Sequence, residues 1–248
     1  MEIHEHIAHL REEGERFARA AEAAGLEAEV PTCPEWRVRD LVQHLGGVHH
    51  WATSYVRSGN PRPSSERDDA RLFAAIGDAD LLHRFRSGHT DLVAALGAAG
   101  PDLSCWTFLP APSPLAFWAR RQAHETTIHR ADAEIASGSS PTCAPAFAAD
   151  GIDELLNGFF SRARGRLVSD PAVALAISTT DTAEAWTIRI EPDRRVVSPG
   201  ARDADCRVSG TASDLYLLLW NRRPVDERLA VEGDRGVLDL WRRAAVVR

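Results

Sequence analysis

Residues 113–135, SPLAFWARRQAHETTIHRADAEI, open on Ser113-Pro114. This pair suits the start of a helix, because serine can cap the first turn and proline has no N–H to leave unpaired there. Leu115, Trp118, Ala119, Thr126, Ile128 and Ala131 then carry a helical pattern to about Ile135. Within it, Glu125 and His129 stand four residues apart and project from the same face. The segment therefore reads as a packed helix that also carries chemistry.

Upstream, Ile3, Ile7, Leu10, Phe17 and Ala21 mark an amphipathic helix over 3–24, with Gly25 where it would stop. A second helix is expected from about Pro34 to Arg57, carrying Val38, Leu41, Val42, Leu45, Val48, Trp51, Ala52 and Tyr55. Gly46-Gly47 interrupts it at roughly 1 kcal/mol per glycine, which suggests that another backbone or a ligand comes close. Residues 58–65 read as a loop, and Asp80 is the expected cap of a third helix with Leu81, Leu82, Phe85, Leu92, Val93 and Leu96. The loops over 58–67 and 100–114 are expected to border a pocket, which Trp106 and Phe108 would either line or cap. These elements form a four-helix bundle, expected over residues 1–140.

The composition then changes. Residues 136–145, ASGSSPTCAP, read as a linker, followed by a helix over 147–167 and strands over 173–178, 185–191 and 206–209. Ser213 is the expected cap of an apolar helix over 214–220, with a strand at 229–231 and a last helix at 237–243. The fold class is thus α+β: a helical bundle followed by a smaller α+β domain over 146–248.

The chain has 248 residues, a formal net charge of -7 and 44% apolar residues. This length and apolar content suit a folded core and exclude a disordered or fibrous chain. No apolar run approaches the roughly 18 to 20 residues of a spanning helix, and the N-terminus lacks the layout of a secretory signal. A cytoplasmic protein is expected, with no membrane association and no nucleic acid held by phosphate neutralisation. All 29 basic Lys+Arg positions are arginine. Without lysine there is no Schiff base or lysine general base, so reactivity falls to histidine, carboxylate, cysteine or a metal. Cys33, Cys105, Cys143 and Cys206 are scattered, which argues against a disulfide framework. All ten histidines fall in the first 129 residues.

An E-x-x-x-H spacing alone is common on exposed helix faces. His124 does not extend it to H-E-x-x-H, since it lies five residues from His129. A third metal ligand would come from the second helix. There His50 shares a polar face with Gln43, Gly47 and Ser54, while His44 and His49 both suit the bundle interior. The pattern leaves His44 and His49 as alternatives.

Residues 32–47, TCPEWRVRDLVQHLGG, and 123–134, AHETTIHRADAE, resemble the second- and fourth-helix signatures of the DinB-like, maleylpyruvate-isomerase-type mycothiol-dependent enzymes. Residues 208–215, VSGTASDL, 218–224, LLWNRRP, and 231–234, VEGD, resemble the C-terminal pattern of the same family. The resemblance implies that the histidine eight residues after Trp36, His44, joins Glu125 and His129 as the metal ligands. It implies mycothiol as thiol cosubstrate and an actinobacterial origin, which an arginine-only basic composition from a GC-rich genome also fits.

Two imidazoles and a carboxylate suit a divalent metal, Zn2+ best, although nickel, iron or manganese could take the same ligands. The expected reaction is metal-assisted addition of mycothiol to a small electrophile, ending in isomerisation or S-transfer. Arg222, more than Arg223, is the candidate catalytic group for a substrate carboxylate; the alternative is that it binds helix C-terminal carbonyls. A monomer is expected. The competing readings are a metal-stabilised binding or sensor module and a hydrolase acting through metal-bound water.

Overall fold

The computed structural model describes residues 1–160 and 165–245, the side chains of 68 and 69 excepted. The chain forms two compact units, Met1–Pro141 and Thr142–Arg248. The fold is α+β, with helices alone in the first unit and a five-stranded sheet in the second.

Among the described residues the first unit holds α1 (Ile3–Ala24), α2 (Val38–Ser58), α3 (Glu66–Leu72), α4 (Asp78–Ala98) and α5 (Pro114–Ala136). Gly25 follows α1 at φ 81°, a left-handed conformation that glycine adopts without a Cβ penalty. Ser113 caps α5 by accepting the Ala116 N–H at 3.1 Å, and Pro114 occupies the first turn. The second helix starts at Val38, not at Pro34, because residues 32–36 form successive turns and Glu29 bridges Arg37 in an antiparallel pair. The third long helix starts at Asp78 with Gly77 at its cap position. Asp80 lies inside the first turn, where a carboxylate faces the positive end of the helix dipole. The short α3 carried too few residues to show a period.

The core of this unit gathers Phe17 and Ala21 of α1, Leu41 and Leu45 of α2, Leu81 and Phe85 of α4 and Ala133 of α5. Polar groups lie inside it as well. Arg130 is fully buried and its Nε lies 2.6 Å from Glu13 Oε2, with Nη1 2.6 Å from Glu134 Oε2. Arg16 closes the set, with Nη1 3.0 Å from Glu13 Oε1 and Nη2 3.1 Å from Glu134 Oε1. Two arginines and two glutamates thus alternate around a ring that joins α1 to α5.

Two glycines admit side chains that no larger residue could. A Cβ at Gly14 would stand 2.2 Å from the His89 ring, whose Nε2 lies 3.0 Å from the Leu10 carbonyl. A Cβ at Gly47 would stand 2.4 Å from the ring of Phe73. The glycine pair in α2 therefore accommodates a side chain, at Gly47 alone; Gly46 has nothing within 4 Å.

The second unit begins with α6 (Pro145–Asp153), which runs into a π-helical segment, Glu154–Phe160. The expected helix over 147–167 falls in part on 161–164, outside the described residues. The strands β1 (Val173–Thr179), β2 (Ala185–Ile190), β3 (Arg195–Pro199), β4 (Cys206–Gly210) and β5 (Ala230–Gly233) form one sheet in the order β3-β2-β1-β4-β5. Among the described residues only β1 and β4 pair in parallel, with Ile177 opposite Val208. Thr211, not Ser213, caps α7 (Ala212–Leu219) by accepting the Asp214 N–H at 3.1 Å. The Ser213 hydroxyl instead accepts the Cys143 N–H at 2.9 Å. In α8 (Arg235–Ala244), Trp241 donates its indole N–H to the Leu219 carbonyl at 3.1 Å, which ties this last helix to α7.

Removing one member of a buried ion set leaves its partners uncompensated. Arg130→Ala is expected to cost about 3–5 kcal/mol in denaturant unfolding. His49 and His89 give a second expectation. Burial, reinforced at His49 by the neighbouring His89, holds both below the ordinary imidazole value of 6.5, so the folded state keeps them neutral. Their contribution is complete above pH 6.5 and is lost as pH falls through their depressed folded values. The unfolding midpoint should fall on acidification, and His89→Gln should make that fall shallower.

Candidate functional site

Three side chains converge between α2 and α5. His44, Glu125 and His129 bring one donor atom each to within 4.8 Å of one another. Glu125 Oε1 lies 3.2 Å from His129 Nε2 and 3.5 Å from His44 Nε2, and the two imidazole rings stand 5.0 Å apart at 75°. Their placement follows from helix geometry: Glu125 and His129 are one turn apart on α5, and His44 faces them from α2.

The side chains of His44, Glu125 and His129 are 33%, 23% and 10% exposed, so the cluster opens toward solvent on the His44 side. Trp36 lies against both imidazoles, with ring centroids 5.1 Å from His44 and 6.4 Å from His129. Phe73 also borders His44, with ring centroids 6.2 Å apart. Its segment is held by Gln43, whose side-chain amide donates to the Ala74 carbonyl at 2.9 Å and accepts the Ile76 N–H at 3.0 Å.

The electrostatics favour charge on this cluster. Burial opposes ionisation of Glu125, but hydrogen bonds with His129 and His44 and the charge of Arg121 outweigh it and hold the carboxyl well below its usual range. Arg121 Nη2 lies 2.7 Å from Glu125 Oε2. Burial likewise opposes a charge on His129, yet the carboxylates of Asp132 and Glu125 raise it to about 9. Asp132 Oδ2 lies 3.0 Å from His129 Nδ1. The sequence offers Arg121 only as half of an Arg120-Arg121 pair able to grip a small anion and does not mark Asp132, although both share the α5 stripe of Glu125 and His129.

The donors suit a divalent cation. Tetrahedral coordination with ligand bonds of roughly 2.0–2.1 Å places ligand atoms about 3.3–3.4 Å apart. The 3.2 and 3.5 Å separations within the cluster are close to that spacing. Three protein donors also leave a position for a further ligand.

His49 and His50 stand outside the cluster. His49 is fully buried, its Nε2 2.9 Å from Thr126 Oγ1. His50 is half-buried beside Gly88 on α4. Trp106 and Phe108 join Trp51, Tyr55, Phe117 and Trp118 in an aromatic cluster. In the second unit, Arg222 Nη1 donates to the Trp220 carbonyl at 2.8 Å, and Arg223 Nη1 pairs with Asp214 Oδ1 at 2.8 Å.

Residues 7–134 match the family described as the mycothiol maleylpyruvate isomerase N-terminal domain, and residues 146–240 match the MDMPI C-terminal domain. Two crystal structures share the fold, the mycothiol-dependent maleylpyruvate isomerase and a histidine-to-alanine mutant of it. They superpose with TM-scores of 0.63 and 0.64 at 13% and 12% identity, covering 94% of this chain and 93% of theirs. No curated protein sequence matches the chain.

Elemental analysis of variants of the metal-replete protein separates the histidines. His44→Ala and Glu125→Ala should each lose stoichiometric metal, whereas His49→Ala and His50→Ala should retain it. Loss in His49→Ala with retention in His44→Ala would transfer the ligand role to His49.

Proposed function

Because the chain belongs to the mycothiol maleylpyruvate isomerase family, a family of enzymes, we propose that it adds the thiol of mycothiol to a small electrophilic organic acid at a divalent metal held by His44, Glu125 and His129. The observation that carries this reading is the convergence of two imidazole nitrogens and one carboxylate oxygen within 4.8 Å. Zinc best suits two imidazoles and a carboxylate. Bound there, the metal supplies positive charge that favours the thiolate over a thiol whose pKa is ordinarily about 8.5.

The protein's own side chains do the rest. Arg121 holds Glu125 Oε2, which leaves Oε1 facing the two imidazoles. His44, the most exposed donor, marks the side by which thiol and electrophile approach. Trp36 and Phe73 flank that approach with apolar ring faces, which limit water around the reacting carbon. We assign Arg222 to the substrate carboxylate, on the resemblance of its segment and the match of a planar guanidinium to a carboxylate.

In the first step the thiolate sulfur bonds to one carbon of the electrophile's double bond, and the electron pair moves toward the neighbouring carbonyl. If that adduct takes up a proton and persists, the reaction is an S-transfer. If it rotates about the former double bond and expels the thiolate, the double bond returns in the other geometry and the outcome is cis/trans isomerisation.

Metal-replete protein incubated with maleylpyruvate or a halogenated bimane, with and without mycothiol, tests this by mass spectrometry of the products. Turnover or conjugation should require the thiol. Thiol-independent turnover would favour hydrolysis, and a protein that loses stability without its metal but forms no conjugate would favour a binding module; either would overturn the proposal.

A further inference from the structure

Residues 32–36 lie between α1 and α2 and supply no ligand, yet their side chains close on the ligand-bearing helix. Their backbone turns tightly: the Cys33 N–H donates to the Val30 carbonyl at 3.0 Å, the Trp36 N–H to the Cys33 carbonyl at 3.0 Å, and Glu35 takes φ 78°. This turn delivers Thr32 and Cys33 to Asp132 of α5. Thr32 Oγ1 donates to Asp132 Oδ1 at 2.5 Å, and Cys33 Sγ to Asp132 Oδ2 at 3.7 Å. Asp132 is fully buried, one turn beyond His129, with Oδ2 3.0 Å from His129 Nδ1.

A neutral imidazole has one nitrogen that donates and one that accepts, and the partner of the first decides which lone pair is left for a metal. The Nδ1 of His129 meets a carboxylate and its Nε2 points into the donor cluster. A carboxylate buried this deeply needs donors to offset its desolvation, and here they also fix its orientation. The Thr32 hydroxyl holds one oxygen, which directs the other at the imidazole.

We propose that Asp132 is a positioning residue that keeps the His129 proton on Nδ1 and so presents Nε2 to the metal, and that Thr32 locks Asp132 in the orientation this requires. The inference rests on the ligand reading of His44, Glu125 and His129. It assigns residues 32–36 a role at the site: the turn before α2 braces a ligand on α5, from the side opposite the donor cluster. A purely structural reading of the same contacts, a staple between a turn and a helix, would leave metal affinity unchanged.

Zinc affinity of the full chain, measured by competition with a chromophoric chelator, distinguishes the two, with thermal unfolding of the metal-stripped protein as the control for folding. Asp132→Asn should bind zinc about 10–100-fold more weakly than the wild type. Thr32→Val should weaken binding less, and Thr32→Ser, which keeps the hydroxyl, should restore it. In nitrogen-15 NMR spectra of the zinc-loaded protein the His129 proton should reside on Nδ1. Wild-type affinity in both Asp132→Asn and Thr32→Val, or a proton on Nε2, would overturn the inference while leaving the ligand set intact. Should Asp132→Asn fail to fold, the Thr32→Val and Thr32→Ser pair decides alone, equal affinities overturning it. A wild-type protein that takes up no zinc would overturn the ligand reading and this inference with it.

Discussion

A helix buried around most of its circumference is destabilised by each polar group it leaves unpaired, and α5 carries many such groups. Arg121, Gln122, His124, Thr126, Thr127, His129, Arg130 and Asp132 are all buried on it. At about 100° per residue they sort into different faces. Arg130 and Glu134 meet Glu13 and Arg16 of α1, while Arg121, Glu125, His129 and Asp132 form a stripe directed to α2 and the turn before it. The charged ring with α1 therefore resists rotation of α5 about its own axis. Turning the helix would break the two ion pairs that cross to α1, Arg130–Glu13 and Arg16–Glu134, and swing the donor stripe away from His44 at the same time. Structure and chemistry share one constraint here.

The His44–Glu125–His129 cluster is braced at two of its members by groups of opposite charge. An arginine occupies the outer oxygen of Glu125, and a carboxylate occupies the outer nitrogen of His129. Glu125 and His129 thus each have their second polar atom engaged, and the first is left facing the common point. Pre-ordering of this kind reduces the side-chain entropy that a bound cation or thiol would otherwise have to overcome.

The parts of this architecture legible in the sequence are those governed by local chemistry. Gly25 after α1 and Ser113-Pro114 before α5 act within a single turn of their own chain, so position and residue type were enough. Pro34 misled because proline also serves turns, and the Glu29–Arg37 bridge that outweighs a helix start there joins residues eight apart. Strand β3 was unreadable: Arg195–Pro199 is short and begins with arginine, and only its pairing with β2 makes it a strand. At the site, helical spacing marked Glu125 and His129 but could not separate His44 from His49, since both point inward. What distinguishes them is tertiary, because His49 meets Thr126 in a closed interior whereas His44 meets the carboxylate. Asp132 and Arg121 lie at helical spacings from His129 and Glu125, and those spacings acquire meaning only once α2 and the turn before it are in place.

The notch at Gly47 has a different kind of consequence. Because Phe73 seats where a Cβ would be, the wall beside His44 is closed by the connection between α3 and α4, pinned by the amide of Gln43. Connections accept changes in length and sequence far more readily than packed helices do. The side chains on α2 and α5 are locked by the bundle, and the wall beside His44 is built in part from a segment outside that lock. The wall beside His44 and the geometry of the three side chains thus reside in separable pieces of chain, so the first can be altered without disturbing the second.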